Sequence, residues 1–143
     1  MGGATVLMAS ELDLPEAVKY IVADCPYSSP RDIISLVAKK MGFPTKIIYP
    51  FIKLGAIIFG GFNPDSSSAV EAVKNTKKPI MLLHGEANGF VPCDMSRKIK
   101  EAAPDAITLI TFPLADHGMS YITDRNRYIG QINEFKEKHL TGD

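Results

Sequence analysis

"KPIMLLHGEANGFVP", residues 78–92, decides how the rest of the chain is read. Its first half is an unbroken apolar run closed by a glycine turn, which predicts a strand over 78–85 buried on both faces. Its second half is a polar loop that carries Asn88 and Gly89 and closes on Pro92. Two other runs have the same character: "VKYIVAD" (18–24), which ends in Asp-Cys-Pro, and "AITLITF" (106–112). Helical segments separate the three. Apolar strands alternating with helices predict an α/β fold, a parallel sheet with helices on its faces. In open sheets of this kind, sites gather beyond the carboxyl ends of the strands. The loops that matter therefore follow Asp24, Leu83 and Phe112.

The helices carry their own punctuation. "GATVLMASEL" (3–12) is rich in good helix formers. In "SSPRD", Ser29 is the expected cap, Pro30 the first helical residue and Asp32 the reciprocal partner of a capping box, with the helix ending near Gly42 and Pro44. Residues 45–62 are apolar but interrupted by Pro50, Gly55, Gly60 and Gly61, which predicts two short helical pieces. Ser68 and Glu71 form a second expected capping box. Residues 93–103 form an amphipathic helix stopped by Pro104. Thr123 is the expected cap of a last helix, in which Tyr128, Ile132 and Phe135 share one face.

The loops after the strands read "ADCPYSS" (23–29), "HGEANGFVP" (84–92) and "FPLADHGMSY" (112–121). A His-Gly-x-x-Asp-x-x-Val-Pro loop, followed after the next strand by x-Gly/Ala-x-His-Gly, resembles the C-terminal half of α/β-hydrolase serine hydrolases. The opening "MGGATVLMAS" (1–10) is similar to the segment that follows the nucleophile in that family's Gly-x-Ser-x-Gly elbow. The resemblance spans essentially all 143 residues and is closest to esterase or peptidase-like members with a modest helical cap, such as the BEM46-like group.

The resemblance implies an acyl-enzyme hydrolase acting on an ester, thioester or amide. It implies that His117 is the base, that Asn88 stands where the triad acid belongs, and that Met1 occupies the position of an oxyanion donor. It further implies a single truncated domain over 1–143, a cap-like insertion over about 27–77, and a nucleophile serine just before Met1. Gly2 and Gly3 suit the close packing of a helix start against a strand.

The chain departs from the family pattern twice. It has no Gly-x-Ser-x-Gly, and its other serines read as caps or solvated polar residues. Asn88 replaces an acid whose work is to orient the histidine and stabilise the imidazolium, which an amide does poorly. Asn88-Gly89 is a sequence open to deamidation, and Asp116 or Asp94 are the other carboxylates nearby in sequence. On these grounds the chain is expected to be inactive alone. The alternative is a non-catalytic α/β module that binds itself, a partner or a ligand. Cys25 reads as a small buried thiol, His84 as a turn histidine holding backbone, and His139 as a helix-end cation.

Composition narrows the remaining classes. Sixteen basic residues balance sixteen acidic ones, which argues against nucleic acid as a partner. Two cysteines and three scattered histidines form no metal-ligand pattern, and no phosphate-binding or dinucleotide fingerprint occurs, so no metal or cofactor is expected. "IIYPFIKLGAIIFGGF" (47–62) is too short and too broken to span a membrane, and no secretory signal is present, so a cytoplasmic protein is expected. The strand over 18–24 would lie at an exposed sheet edge. Self-association is expected there or through the apolar cap segment 45–62.

Overall fold

The computed structural model describes residues 1–140. Three parallel strands, β1 (Ile21–Asp24), β2 (Ile80–Gly85) and β3 (Ile107–Phe112), form one sheet in the order β1-β2-β3. The register sets Asp24 beside Leu83, and Gly85 beside Phe112, so β2 and β3 end together and β1 stops two residues short of them. Helices α1 (Gly2–Ala9), α2 (Pro30–Lys40), α3 (Thr45–Gly60), α4 (Ala69–Val73), α5 (Cys93–Ala102), α6 (Ser120–Thr123) and α7 (Arg125–Leu140) complete the described residues.

The central strand shows why its sequence is apolar throughout. All six residues of β2 are buried. Ile80 and Leu82 face one core with Leu7 of α1, Ala69 and Val73 of α4, and Ile99 of α5. Met81 and Leu83 face the other core with Phe112 and Phe135. Side chains on a strand alternate between faces, so a strand covered on both sides needs apolar residues at every position. The face expected on α7 is present: Tyr128, Ile132 and Phe135 pack on this second core.

Local signals held in some places and gave way in others. Ser29 caps α2, its Oγ accepting from the Asp32 N–H at 3.0 Å, with Pro30 in the first turn. The reciprocal arm differs, because the Asp32 carboxylate accepts from Ser28 Oγ at 2.5 Å instead. Residues 45–60 form one continuous helix rather than two pieces. Pro50 removes one backbone donor but keeps a helical φ, and the helix stops only at Gly61, which is left-handed at φ 67°. Ser68 makes no side-chain cap; its Oγ donates to Ser28 O, and Glu71 pairs with Lys74. Asp124, not Thr123, caps the last helix by accepting from the Arg127 N–H at 3.0 Å. Thr123 closes the short helix α6 instead.

Two glycines allow close approaches at the carboxyl end of the sheet. A Cβ on Gly3 would lie 2.6 Å from Asp24 O, so α1 starts hard against the end of β1. A Cβ on Gly85 would lie 2.2 Å from Ala115 O, so the loop before His117 lies directly on the end of β2. Gly2 has nothing within 4 Å of the same added atom, so only the second glycine of the opening pair serves packing.

Candidate active site

The loop after β2 is organised by Asn88. Its Oδ1 accepts from the Phe90 N–H at 3.0 Å and the Val91 N–H at 2.8 Å. Its Nδ2 lies 3.1 Å from Nδ1 of His117 and 3.3 Å from Nε2 of His84. Flipping the amide would turn Nδ2 toward two backbone donors and orphan both, at about 1–3 kcal/mol for each buried group. The amide orientation is therefore determined. An amide nitrogen can only donate, so His117 Nδ1 must accept, and in the neutral ring the proton sits on Nε2. A triad base needs the opposite arrangement, with the proton on Nδ1 and a free lone pair on Nε2.

His84 supports this loop from below. It is fully buried. Its Nε2 lies 2.9 Å from Val91 O, a pure acceptor, so Nε2–H donates there and Nδ1 accepts from Ser96 Oγ at 2.7 Å. Its approach to Asn88 Nδ2 is thus donor to donor and not a hydrogen bond. Burial pushes its pKa down, in keeping with a neutral ring. The expectation of a turn histidine holding backbone agrees with the bond to Val91. Ser96 was expected to be capping or solvated, yet it is buried and tied to His84, and Ser10, Ser28 and Ser120 are buried as well. Twelve residues separate His84 from Ser96, and no spacing rule links them.

Asp116 binds the two loops together through backbone. Its Oδ1 accepts from the Gly89 N–H at 2.8 Å and from its neighbour's N–H, that of His117, at 2.7 Å. These donors hold its carboxyl below the ordinary range. Asp116 therefore positions the His117 loop without bonding the imidazole, and Asp94 pairs with Arg97 on α5. Neither takes the place of Asn88. The same Gly89 N–H is the atom that would attack the Asn88 side chain in deamidation, and here it is held by Asp116.

His117, Met1 and Cys25 come together around a cavity of about 390 Å³, which Tyr27, Ile33 and Phe90 also line. The imidazole packs edge-on against Phe90, with ring centroids 5.3 Å apart. Met1 caps α1 with its carbonyl, which accepts from the Ala4 N–H at 3.1 Å, so the amino end of that helix opens on the cavity. Cys25 is buried at the end of β1 with φ 48°, a left-handed conformation that the sequence did not signal. Burial raises its thiol pKa, opposed by the backbone N–H groups of Gly85 and Gly118, so it stays protonated. His139 lies away from this site, with its ring on Phe135.

The sheet, the flanking helices and the loops at its carboxyl end are those of a partial α/β-hydrolase fold. The acylaminoacyl peptidase of Pyrococcus horikoshii superposes with a TM-score of 0.66 at 20% identity, over 97% of this chain and 22% of that one. An esterase of Pyrococcus furiosus superposes with a TM-score of 0.60 at 17% identity, over 93% of this chain and 49% of that one. In sequence, the chain is 20% identical over 136 residues to the uncharacterized protein YqkD of Bacillus subtilis strain 168, covering 94% of this chain and 45% of YqkD. No protein-family model matches. The chain spans less than half the length of each of these three proteins. No helix among the described residues is long and apolar enough to cross a membrane.

Proposed function

We propose that this chain is the C-terminal, histidine-bearing half of a serine hydrolase of the capped esterase or peptidase type, in a form that does not turn over by itself. His117 holds the position of the general base and Asn88 that of the acid. The backbone at Met1 holds the position of an oxyanion donor, and the nucleophile belongs just before it. The substrate class is an ester, thioester or amide, and the cap is the insertion over 27–77, with α2 and α3 as its body. The observation that carries this reading is the 3.1 Å approach of Asn88 Nδ2 to His117 Nδ1 beside the 390 Å³ cavity. It joins two loops 29 residues apart in the order and place the hydrolase resemblance requires.

The same contact favours inactivity. With Nδ1 accepting, His117 presents a donor and no lone pair to the cavity, so it cannot take a proton from an attacking hydroxyl. Intact-mass measurement after treatment of the 143-residue protein with a fluorophosphonate tests this directly. No adduct is expected, and a stoichiometric adduct on any serine of this chain would overturn the proposal. Upstream DNA gives the positive arm: an in-frame Gly-x-Ser immediately before the Met1 codon is expected.

A second reading rests on the donor face itself. A histidine that only donates, beside an apolar cavity, suits a binding module for an acceptor-bearing apolar ligand. A stop codon directly upstream of Met1 would select it over the enzyme.

A further inference from the structure

Arg31 and Lys46 stand where a helix opposes a cation. Each is the second residue of its helix, Arg31 on α2 and Lys46 on α3. A helix carries partial positive charge at its amino end, so a cation is destabilised there. α3 has neither an acidic residue in its first turn nor a side-chain cap to offset that charge. Neither cation forms an ion pair among the described residues. Both line one cleft of about 310 Å³, together with Ser35, Thr45, Tyr49 and Pro50, and no carboxylate lines it. Two cations set against local preference and facing one concave space are better explained by an anionic occupant than by solvation alone.

The surroundings leave the cleft positive. The Arg31 guanidinium lies over the ring of Tyr49, 5.3 Å from its centroid. The Tyr49 hydroxyl donates to Asp65 Oδ1, and Lys53 Nζ donates to Asp65 Oδ2 at 2.8 Å. Asp65 is thus met by Lys53, outside the cleft. Asp32, next to Arg31 in sequence, accepts from Ser28 Oγ and from the Ser29-capped turn lends its charge to α2. These two carboxylates do not balance Arg31, Lys46 and Lys53.

We propose that this cleft binds a phosphate monoester carried by a small soluble molecule. Its oxygens accept from the Arg31 guanidinium, the Lys46 ammonium and the hydroxyls of Ser35 and Thr45. A phosphate monoester brings three such oxygens and close to two negative charges, whereas a carboxylate brings two oxygens and one charge. The cleft is at the small end of the range for ligand pockets, about 300–1,000 Å³, which suits a small molecule. It shares no lining residue with the cavity at His117, so the inference stands apart from the hydrolase reading.

NMR titration of the nitrogen-15-labelled protein with glycerol 3-phosphate tests it. Saturating amide shifts are expected at Arg31, Ser35, Thr45 and Lys46, and none with sodium acetate at equal ionic strength. Arg31→Gln and Lys46→Gln are each expected to raise the dissociation constant by about twofold to fivefold, the range of exposed ion pairs. Lys39→Gln, which removes a cation in the last turn of α2 and outside the cleft, is expected to leave it unchanged. The dispersion of each variant's spectrum is the reference for folding. Shifts that do not saturate, an equal response to acetate, or an equal loss in Lys39→Gln would overturn the inference. Vesicles of phosphatidylcholine with phosphatidic acid separate the two sources of such a phosphate. Sedimentation with them is expected not to depend on Lys46, and sedimentation that Lys46→Gln abolishes would overturn the assignment to a soluble ligand.

Discussion

At the scale of single residues, the behaviour of the site turns on one amide. Asn88 fixes its own loop through Phe90 and Val91 and fixes the proton of His117 through Nδ1. Asn88→Asp keeps the shape and replaces the donor with an acceptor. The expected outcome is a transfer of the neutral-ring proton from Nε2 to Nδ1, checked by the nitrogen-15 chemical shifts of the His117 ring. Asn88 is 6% exposed and the Gly89 N–H is held, so peptide maps of aged folded protein are expected to show Asn88 intact. His84 gives a pH signature. Its folded pKa is depressed, so below about pH 6.5 the unfolded chain takes up a proton that the folded chain resists. His139, lowered by burial and then by Lys138, adds with the same sign. Stability is therefore expected to fall as pH drops from about 7 through the range of the lowered pKa values. A urea midpoint that rises across that drop would contradict the assignment of His84 as neutral.

At the scale of elements, the strands were legible because apolar runs bounded by turn residues have few other readings. The Ser29 cap and the α7 face were legible because each is a local pattern that tertiary contacts do not oppose. The continuity of α3 was not. Pro50 costs a helix one hydrogen bond, and the sequence cannot weigh that loss against the bonds on either side. Ser68 and Ser96 depart from their local patterns for another reason: their partners, Ser28 O and His84, are distant in sequence or on another element. The pairing of Asn88 with His117 was legible only through the family pattern, and the direction of the amide needed coordinates. Gly85 is the most demanding junction between elements. Gly85→Ala places a methyl 2.2 Å from Ala115 O and is expected to lower stability by about 1–3 kcal/mol, while also displacing the His117 loop. An unchanged denaturation midpoint would refute that packing.

For the whole molecule, the sheet has three strands with a fully buried centre, and among the described residues β1 and β3 each pair on one side alone. Leu82 lies in the core shared by α1, α4 and α5, and Leu82→Ala is expected to cost about 2–5 kcal/mol by equilibrium denaturation. Only β2 pairs with β1 in the described residues, and α3 leaves Phe51 and Phe59 mostly exposed. Self-association through one of these surfaces is our proposal, and light scattering at micromolar concentration is expected to give a mass above the 15.6 kDa of one chain. A monodisperse species at the mass of a single chain would contradict it.

The most direct test of the site's assignment is a long-range nitrogen-15 to proton correlation spectrum of His117 in the unmodified protein at alkaline pH, where the ring is neutral. A bare, lone-pair nitrogen at Nδ1 and a protonated Nε2 are expected, with the two exchanged in Asn88→Asp. A protonated Nδ1 in the parent would mean that Asn88 accepts from His117, that the ring is poised as a base, and that the case for an idle site is wrong.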